Sequence, residues 1–172
     1  MAHPSPDTGS LSARLSRLRA GQERAVAPGM APIPPLAGNW PEGCQAFPAS
    51  TAQARLWFLH QLQPGLTAYH LPALWRLRGA LDVPALAQAL SALIARHPTL
   101  RTSFRLQGSE VLQILHPPAP VRLEAEPLGD RDAAAVIEAW QHEDASTPFD
   151  LGSGLLLRAR LLAVSDAEHW LL

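Results

Sequence analysis

The sequence predicts an α/β fold, helices laid against β-sheet, and three observations carry that expectation. Leu86, Leu90, Leu93, Ile94 and His97 recur at helical spacing and form one stripe of an amphipathic helix. Within three residues the period drops to two, where Leu100, Thr102, Phe104 and Leu106 alternate with Arg101, Ser103 and Arg105 as in a half-buried strand. Near the end Leu155, Leu157, Ala159, Leu161 and Ala163 alternate around Arg158 and Arg160 in the same way. With 47% hydrophobic and 17% charged residues among 172, the chain can bury one core. The expected division is a Pro/Gly-rich linker over residues 1–46 and a folded unit over residues 47–172.

The linker holds seven of the seventeen prolines by Pro41, together with Gly9, Gly21, Gly29, Gly38 and Gly43. Inside it Leu11, Leu15 and Leu18 repeat at helical spacing with Arg14, Arg17 and Arg19 on other faces. A short amphipathic helix over 11–24 is therefore expected, either frayed or serving as a docking element for a preceding protein. Ser50 and Gln53 have capping-box spacing and open a helix that Pro64-Gly65 stops. Its run Leu56-Trp57-Phe58-Leu59 is apolar on nearly every side and calls for more cover than one sheet face supplies.

Trp75 to Gly79 reads as a strand. Asp82 caps the central helix, Pro84 sits in its first turn, and Pro98 disfavours helical geometry at His97 and ends it there. Gly108-Ser109 turns the following strand back into Val111 to Leu115. Pro117, Pro118 and Pro120 enforce a loop, after which Val121, Leu123 and Ala125 alternate with Arg122, Glu124 and Glu126 as another strand. A third helix, capped by Asp130, presents Ala133, Val136, Ile137 and Trp140 on one stripe until Thr147-Pro148 ends it. Ser165-Asp166 turns the last strand pair, and Glu168 to Leu172 begins the return.

Several function classes are excluded by what is missing. All fourteen basic charges are arginines, so a P-loop lysine, a Schiff base and a lysine nucleophile are ruled out. A net charge of -1 and scattered arginines leave no electrostatic footprint for nucleic acid. The richest apolar run, Leu155 to Val164, is broken by two arginines and too short for a membrane span. Met1-Ala2-His3-Pro4 opens no secretory segment, so the cytoplasm is the expected compartment, and the single Cys44, with no internal disulfide partner, fits it. No metal site is expected from the histidine spacings or from one cysteine. Ser153 lacks the Gly-x-Ser-x-Gly elbow. The carboxylate pairs Asp130 with Asp132 and Glu124 with Glu126 read as a helix cap and a solvated strand face.

Three stretches carry a resemblance. Ser50-Thr51-Ala52-Gln53-Ala54-Arg55-Leu56-Trp57-Phe58-Leu59 is similar to SxAQxRLWFL, the first core motif of condensation domains in nonribosomal peptide synthetases, and Tyr69-His70-Leu71-Pro72 resembles the Tyr-Asn-x-Pro that often trails it. Arg96-His97-Pro98-Thr99-Leu100-Arg101-Thr102-Ser103-Phe104 resembles the second motif, RHExLRTxF, with Pro98 where that family often has Glu. Pro148-Phe149-Asp150-Leu151 resembles the PFDL segment that precedes the catalytic motif. The matches run in family order, and the first motif resembles that of peptide-bond-forming members rather than the epimerisation or heterocyclisation relatives.

The resemblance implies an α/β (α+β) sandwich, the incomplete N-terminal lobe of a chloramphenicol-acetyltransferase-like fold. It also implies a reaction: an acyl or peptidyl thioester is joined to the amine of a second carrier-bound amino acid. Substrates in that family arrive on phosphopantetheine arms, so no cofactor is expected in this chain, and the expected partners are peptidyl and aminoacyl carrier proteins and the remainder of the synthetase. The family's His-His-x-x-x-Asp-Gly motif starts just after a strand like the last one here. The chain ends in His169-Trp170-Leu171-Leu172, short of that motif, so no catalytic residue and no condensation by this chain alone are expected; His169 reads as a strand residue. Three motif positions are expected to support the active site. Arg55 and Arg101 would hold the catalytic loop through ion pairs or hydrogen bonds, if they are not ordinary solvated arginines. His97 would line the channel, or cap its helix with the ring partly buried. Two other readings of the whole stand beside this one: a non-catalytic docking module for a carrier protein or synthetase partner, and a stand-alone acyltransferase of the same superfamily using coenzyme A.

Overall fold

A computed structural model of the chain describes residues 32–172. In chain order its elements are β1 (Gln45–Pro48), α1 (Thr51–Leu62), β2 (Trp75–Arg78), α2 (Val83–Arg96), a 3-10 turn (Pro98–Arg101), β3 (Thr102–Gln107), β4 (Glu110–Leu115), β5 (Ala125–Pro127), α3 (Ala133–Ser146), β6 (Leu161–Ser165) and β7 (Glu168–Leu171). The helix expected over 11–24 lies outside the described residues. None of the described helices is long and apolar enough to cross a membrane.

Two sheets organise residues 34–172. In the first, β4 lies between β1 and β3 and pairs antiparallel with both. The β3–β4 hairpin closes through Gly108-Ser109 with Gln107 opposite Glu110, and Gly108 takes φ 62°, as the first central residue of a type II′ turn requires. In the second sheet the order is β2-β7-β6-β5, with β5 parallel to β6 and the other pairs antiparallel. On β6 both Leu161 and Leu162 are buried, so this inner strand is covered on both faces.

Where the chain carries its own stop and start signals, structure and expectation coincide. Ser50 Oγ accepts from Gln53 N while Gln53 Oε1 accepts from Ser50 N, the two halves of the capping box. Asp82 Oδ1 accepts from Ala85 N at 2.9 Å at the head of α2, and α2 ends at His97 before Pro98. On α3, Trp140 is buried and Ala133, Val136 and Ile137 are half-buried, the expected stripe.

Elsewhere the structure corrects the sequence reading. Order begins before Phe47: the Leu36 amide donates to Ala46 O at 2.8 Å, and Leu36, Trp40 and Cys44 pack on the buried cluster Ala46, Leu112 and Ile114. The inward stripe of α2 is rotated from the expected one. Leu86, Ala87, Leu90, Ser91 and Ile94 face in, whereas Leu93 is 43% exposed and His97 is exposed. The strand expected from Leu100 starts at Thr102, because Pro98 continues into a 3-10 turn that the Thr102 hydroxyl closes by donating to Pro98 O. Ser103, expected to face solvent, is buried. Asp132, not Asp130, caps α3, through Ala134 N.

Two alternating stretches are extended without being full strands. Val121 N donates to Ser91 Oγ at 2.9 Å instead of joining a ladder, and only Ala125 to Pro127 pair with β6. Leu155 to Arg160 crosses from one sheet to the other. Leu156 N donates to Leu100 O beside β3, and Arg160 exchanges both backbone hydrogen bonds with Leu172 beyond β7. Alternating burial reports which side is covered; ladder hydrogen bonds need a neighbour in register.

Candidate functional site

A cleft of about 550 Å³ opens at the end of the second sheet where the paired residues Trp75 and Leu171 lie. Its walls are α1 through Leu56 and His60, the Tyr69-to-Ala73 segment, the C-terminal end of α3, and the 147–160 crossing segment. Leu171 and Leu172 stand in the same wall. The lining is mainly apolar with a few polar groups, the composition of a site that excludes water yet orients a ligand. Around it much apolar surface is uncovered: Leu71 is 95% exposed, Leu62 78% and Trp75 61%.

The polar groups are held by a compact set of contacts. Arg158 Nε lies 3.3 Å from Asp144 Oδ1, its Nη2 donates to Thr147 O at 2.7 Å, and its guanidinium stacks 4.0 Å from the Phe149 ring centroid. His70 meets the Phe149 ring edge-on, and its Nδ1 is 3.3 Å from Asp144 O. A carbonyl can only accept, so Nδ1 carries the proton in that contact. Arg160 forms a bidentate pair with Glu143 at 2.6 and 2.7 Å. These contacts lock the C-terminal turn of α3 to the crossing segment and so fix one wall of the cleft.

The hydrogen bond and charge of Arg160 hold the Glu143 carboxyl below its ordinary value, and Arg76 does the same to Glu168. A carboxylate whose folded value is depressed adds stability above its unfolded value and loses it as pH falls through the folded one. The expected result is that Glu143→Gln lowers the urea midpoint at neutral pH, and that the gap from the parent narrows as pH falls below the ordinary glutamate range and the paired carboxylate protonates. A gap independent of pH would show that the Glu143–Arg160 pair adds nothing.

None of the three residues singled out by the motifs lines this cleft. Arg55 is exposed on α1, with no hydrogen bond or ion pair among the described residues. His97 is the C-cap of α2, its backbone amide donating to Leu93 O, and its ring is exposed. Arg101 is half-buried and braces two elements: Nη1 donates to His116 O, Nη2 lies 3.5 Å from Ala95 O at the end of α2, and its backbone carbonyl accepts from His116 N. Arg101 Nε and His169 Nδ1 are buried without a partner among the described residues. His169 itself is buried on β7 between Leu77 and Ala163. The cleft's own polar residues, His70, Asp144 and Arg158, were not singled out. The signal was present in the Tyr69-His70-Leu71-Pro72 and Pro148-Phe149-Asp150-Leu151 segments, both of which line it.

The condensation-domain family model matches residues 44–172. Among characterised proteins, the chain is 45% identical over 126 residues to chondramide synthase of Chondromyces crocatus, covering 72% of this chain and 3% of that one. It is 35% identical over 158 residues to tyrocidine synthase 2 of Brevibacillus parabrevis, covering 92% of this chain and 4% of that one. Among solved structures, the X-domain from teicoplanin biosynthesis superposes with a TM-score of 0.64 at 36% identity, over 78% of this chain and 28% of that one, and is also described in complex with OxyB. The starter condensation domain of rhizomide synthetase superposes with a TM-score of 0.64 at 27% identity, over 73% of this chain and 31% of that one. The chain thus spans under a third of the length of these solved domains.

Proposed function

The chain belongs to the condensation-domain family of nonribosomal peptide synthetases, with the chloramphenicol-acetyltransferase-like fold of that family, and on that premise we propose that it forms one wall of a site for peptide-bond formation between carrier-bound thioesters. In that reaction the acceptor amine attacks the thioester carbonyl, a C–N bond forms, the C–S bond breaks, and the amine proton ends on the departing thiol. Water competes for the same carbonyl. An apolar cleft of this size excludes it while holding a carrier's pantetheine arm extended. The observation that carries the reading is the position of β7. This strand, which in the resemblance leads into His-His-x-x-x-Asp-Gly, runs to Leu171, which with the following Leu172 stands in the cleft wall. The general base would then be delivered at the cleft mouth, and such a base contributes about 10²–10⁴-fold. Of Arg55, His97 and Arg101, only Arg101 acts in this proposal as a support, by fixing the end of α2 against His116.

The test compares the 172-residue chain with one extended through that motif and a second lobe, each supplied with two loaded carrier proteins, and measures dipeptidyl product. Product from the extended chain and none from the short one is the expected result. Product from the short chain, or none from a folded extended chain, would overturn the reading. A second reading, a docking module without turnover, is favoured by the X-domain's complex with OxyB. It predicts carrier or partner binding by the extended chain without product.

A further inference from the structure

At the end of the first sheet where β1 and β3 begin and β4 finishes, three side chains that no motif brings together converge. Cys44 Sγ lies 3.6 Å from His116 Nδ1, and His116 Nε2 lies 2.7 Å from Ser103 Oγ. Cys44 is half-buried, at the threshold of β1; Ser103 is buried on β3; His116 follows β4. None of the three lines the cleft.

The imidazole is fixed from every side that the contacts define. Arg101 donates to the His116 carbonyl and accepts from its amide, which anchors the backbone. Gly154, at φ 98°, passes so close that a Cβ there would lie 2.6 Å from His116 Cδ2 and 2.7 Å from Nε2. A nucleophile within reach of a base that a third group orients is the general signature of an activated nucleophile. The tautomer that serves it is the one in which Nε2–H donates to Ser103 Oγ, leaving Nδ1 free to accept from the thiol.

We propose that Cys44 is a nucleophilic modification site for α,β-unsaturated carbonyl compounds, with His116 as its base and Ser103 as a positioning residue. In the step, the Cys44 thiol proton passes to His116 Nδ1 and Sγ bonds to the β-carbon. The alkene electron pair moves to the α-carbon, which takes the proton back from His116, so the thiol adds across the double bond with no other reagent. A soft sulfur nucleophile prefers such a conjugated carbon, and the thiolate is the reacting form.

The chain has one cysteine, so loss of free thiol reports this site alone. The probe is acrylamide, reacted with the whole 172-residue chain and with a small-molecule cysteine across a pH series; mass spectrometry confirms a single adduct. At neutral pH the parent is expected to react about tenfold faster than His116→Gln, less than the roughly 10²–10⁴-fold that a general base supplies in an enzyme's transition state. Ser103→Ala should fall between them. The ratio should close by about pH 9, where an ordinary thiol ionises unaided. A merely structural role for His116 would not give a pH-dependent ratio. Circular dichroism reports whether the variants are folded; should His116→Gln unfold, Ser103→Ala and the parent against the small-molecule thiol decide. Equal rates in parent and folded variants, or a parent slower than the small-molecule thiol throughout, would overturn the proposal.

Discussion

Leu162→Ala is expected to cost about 2–5 kcal/mol, the range for emptying a buried leucine site. Leu162 is 0% exposed, and its strand is flanked by β5, where Glu126 is its partner, and by β7, where Trp170 is. Leu161 beside it is 1% exposed on the opposite face, so neither face of β6 can relax into solvent. Against a total of about 5–15 kcal/mol for an ordinary domain, such a loss leaves little or nothing. The urea midpoint should fall by an amount on the order of 1–3 M. Leu62→Ala makes the same chemical change at a side chain 78% exposed and should stay within about 0.5 kcal/mol of the parent. Equal shifts in the two variants would mean that β6 is not the centre of the second sheet.

Helix ends were legible because their signals are local. Ser50 with Gln53, Asp82 with Pro84, and Thr147 with Pro148 each act within four residues, and each ends or starts a helix where the sequence places it. Asp130 and Asp132 were not separable that way. Both are acidic and two residues apart, and the choice depends on the turn before the helix, where Arg131 reaches back to Glu126 and to Leu128 O. Period-two patterning located covered sides correctly along Val121 to Ala125, yet a strand also needs a paired neighbour, and Val121 is hydrogen-bonded to α2 instead.

The candidate site was legible as family and largely illegible as geometry. Motif wording led to Arg55, His97 and Arg101, which stand outside the cleft, because a motif records what a family keeps and not where each member points. His70 and Asp144 meet across 74 positions, and Cys44 and His116 across 72. No spacing rule along the chain reaches that far. The pairing of β1 with β4, Gln45 opposite Leu115, sets Cys44 beside His116, and the 147–160 segment lines the cleft with Phe149 and Arg158 and abuts His116 with Gly154.

Gly154 is therefore the position where one methyl group should do most damage for its size. The segment is docked on the first sheet by Phe104 N donating to Leu151 O at 2.7 Å and Leu156 N donating to Leu100 O at 3.1 Å, so its backbone cannot slide away from His116. Gly154→Ala meets two separate penalties. A left-handed φ of 98° disfavours any residue with a Cβ, by about 1–2 kcal/mol, and overlap with a ring pinned by Ser103 and Cys44 adds about 1–3 kcal/mol. Gly108→Ala separates them, since Gly108 also has a positive φ, 62°, but nothing lies within 4 Å of its added Cβ. The expected order of urea midpoints is parent, then Gly108→Ala, then Gly154→Ala well below both. Should the ring yield instead of the backbone, Gly154→Ala would match Gly108→Ala in stability while losing the His116-dependent reactivity of Cys44. Matching stability together with unchanged reactivity would show that His116 is not confined by this segment at all.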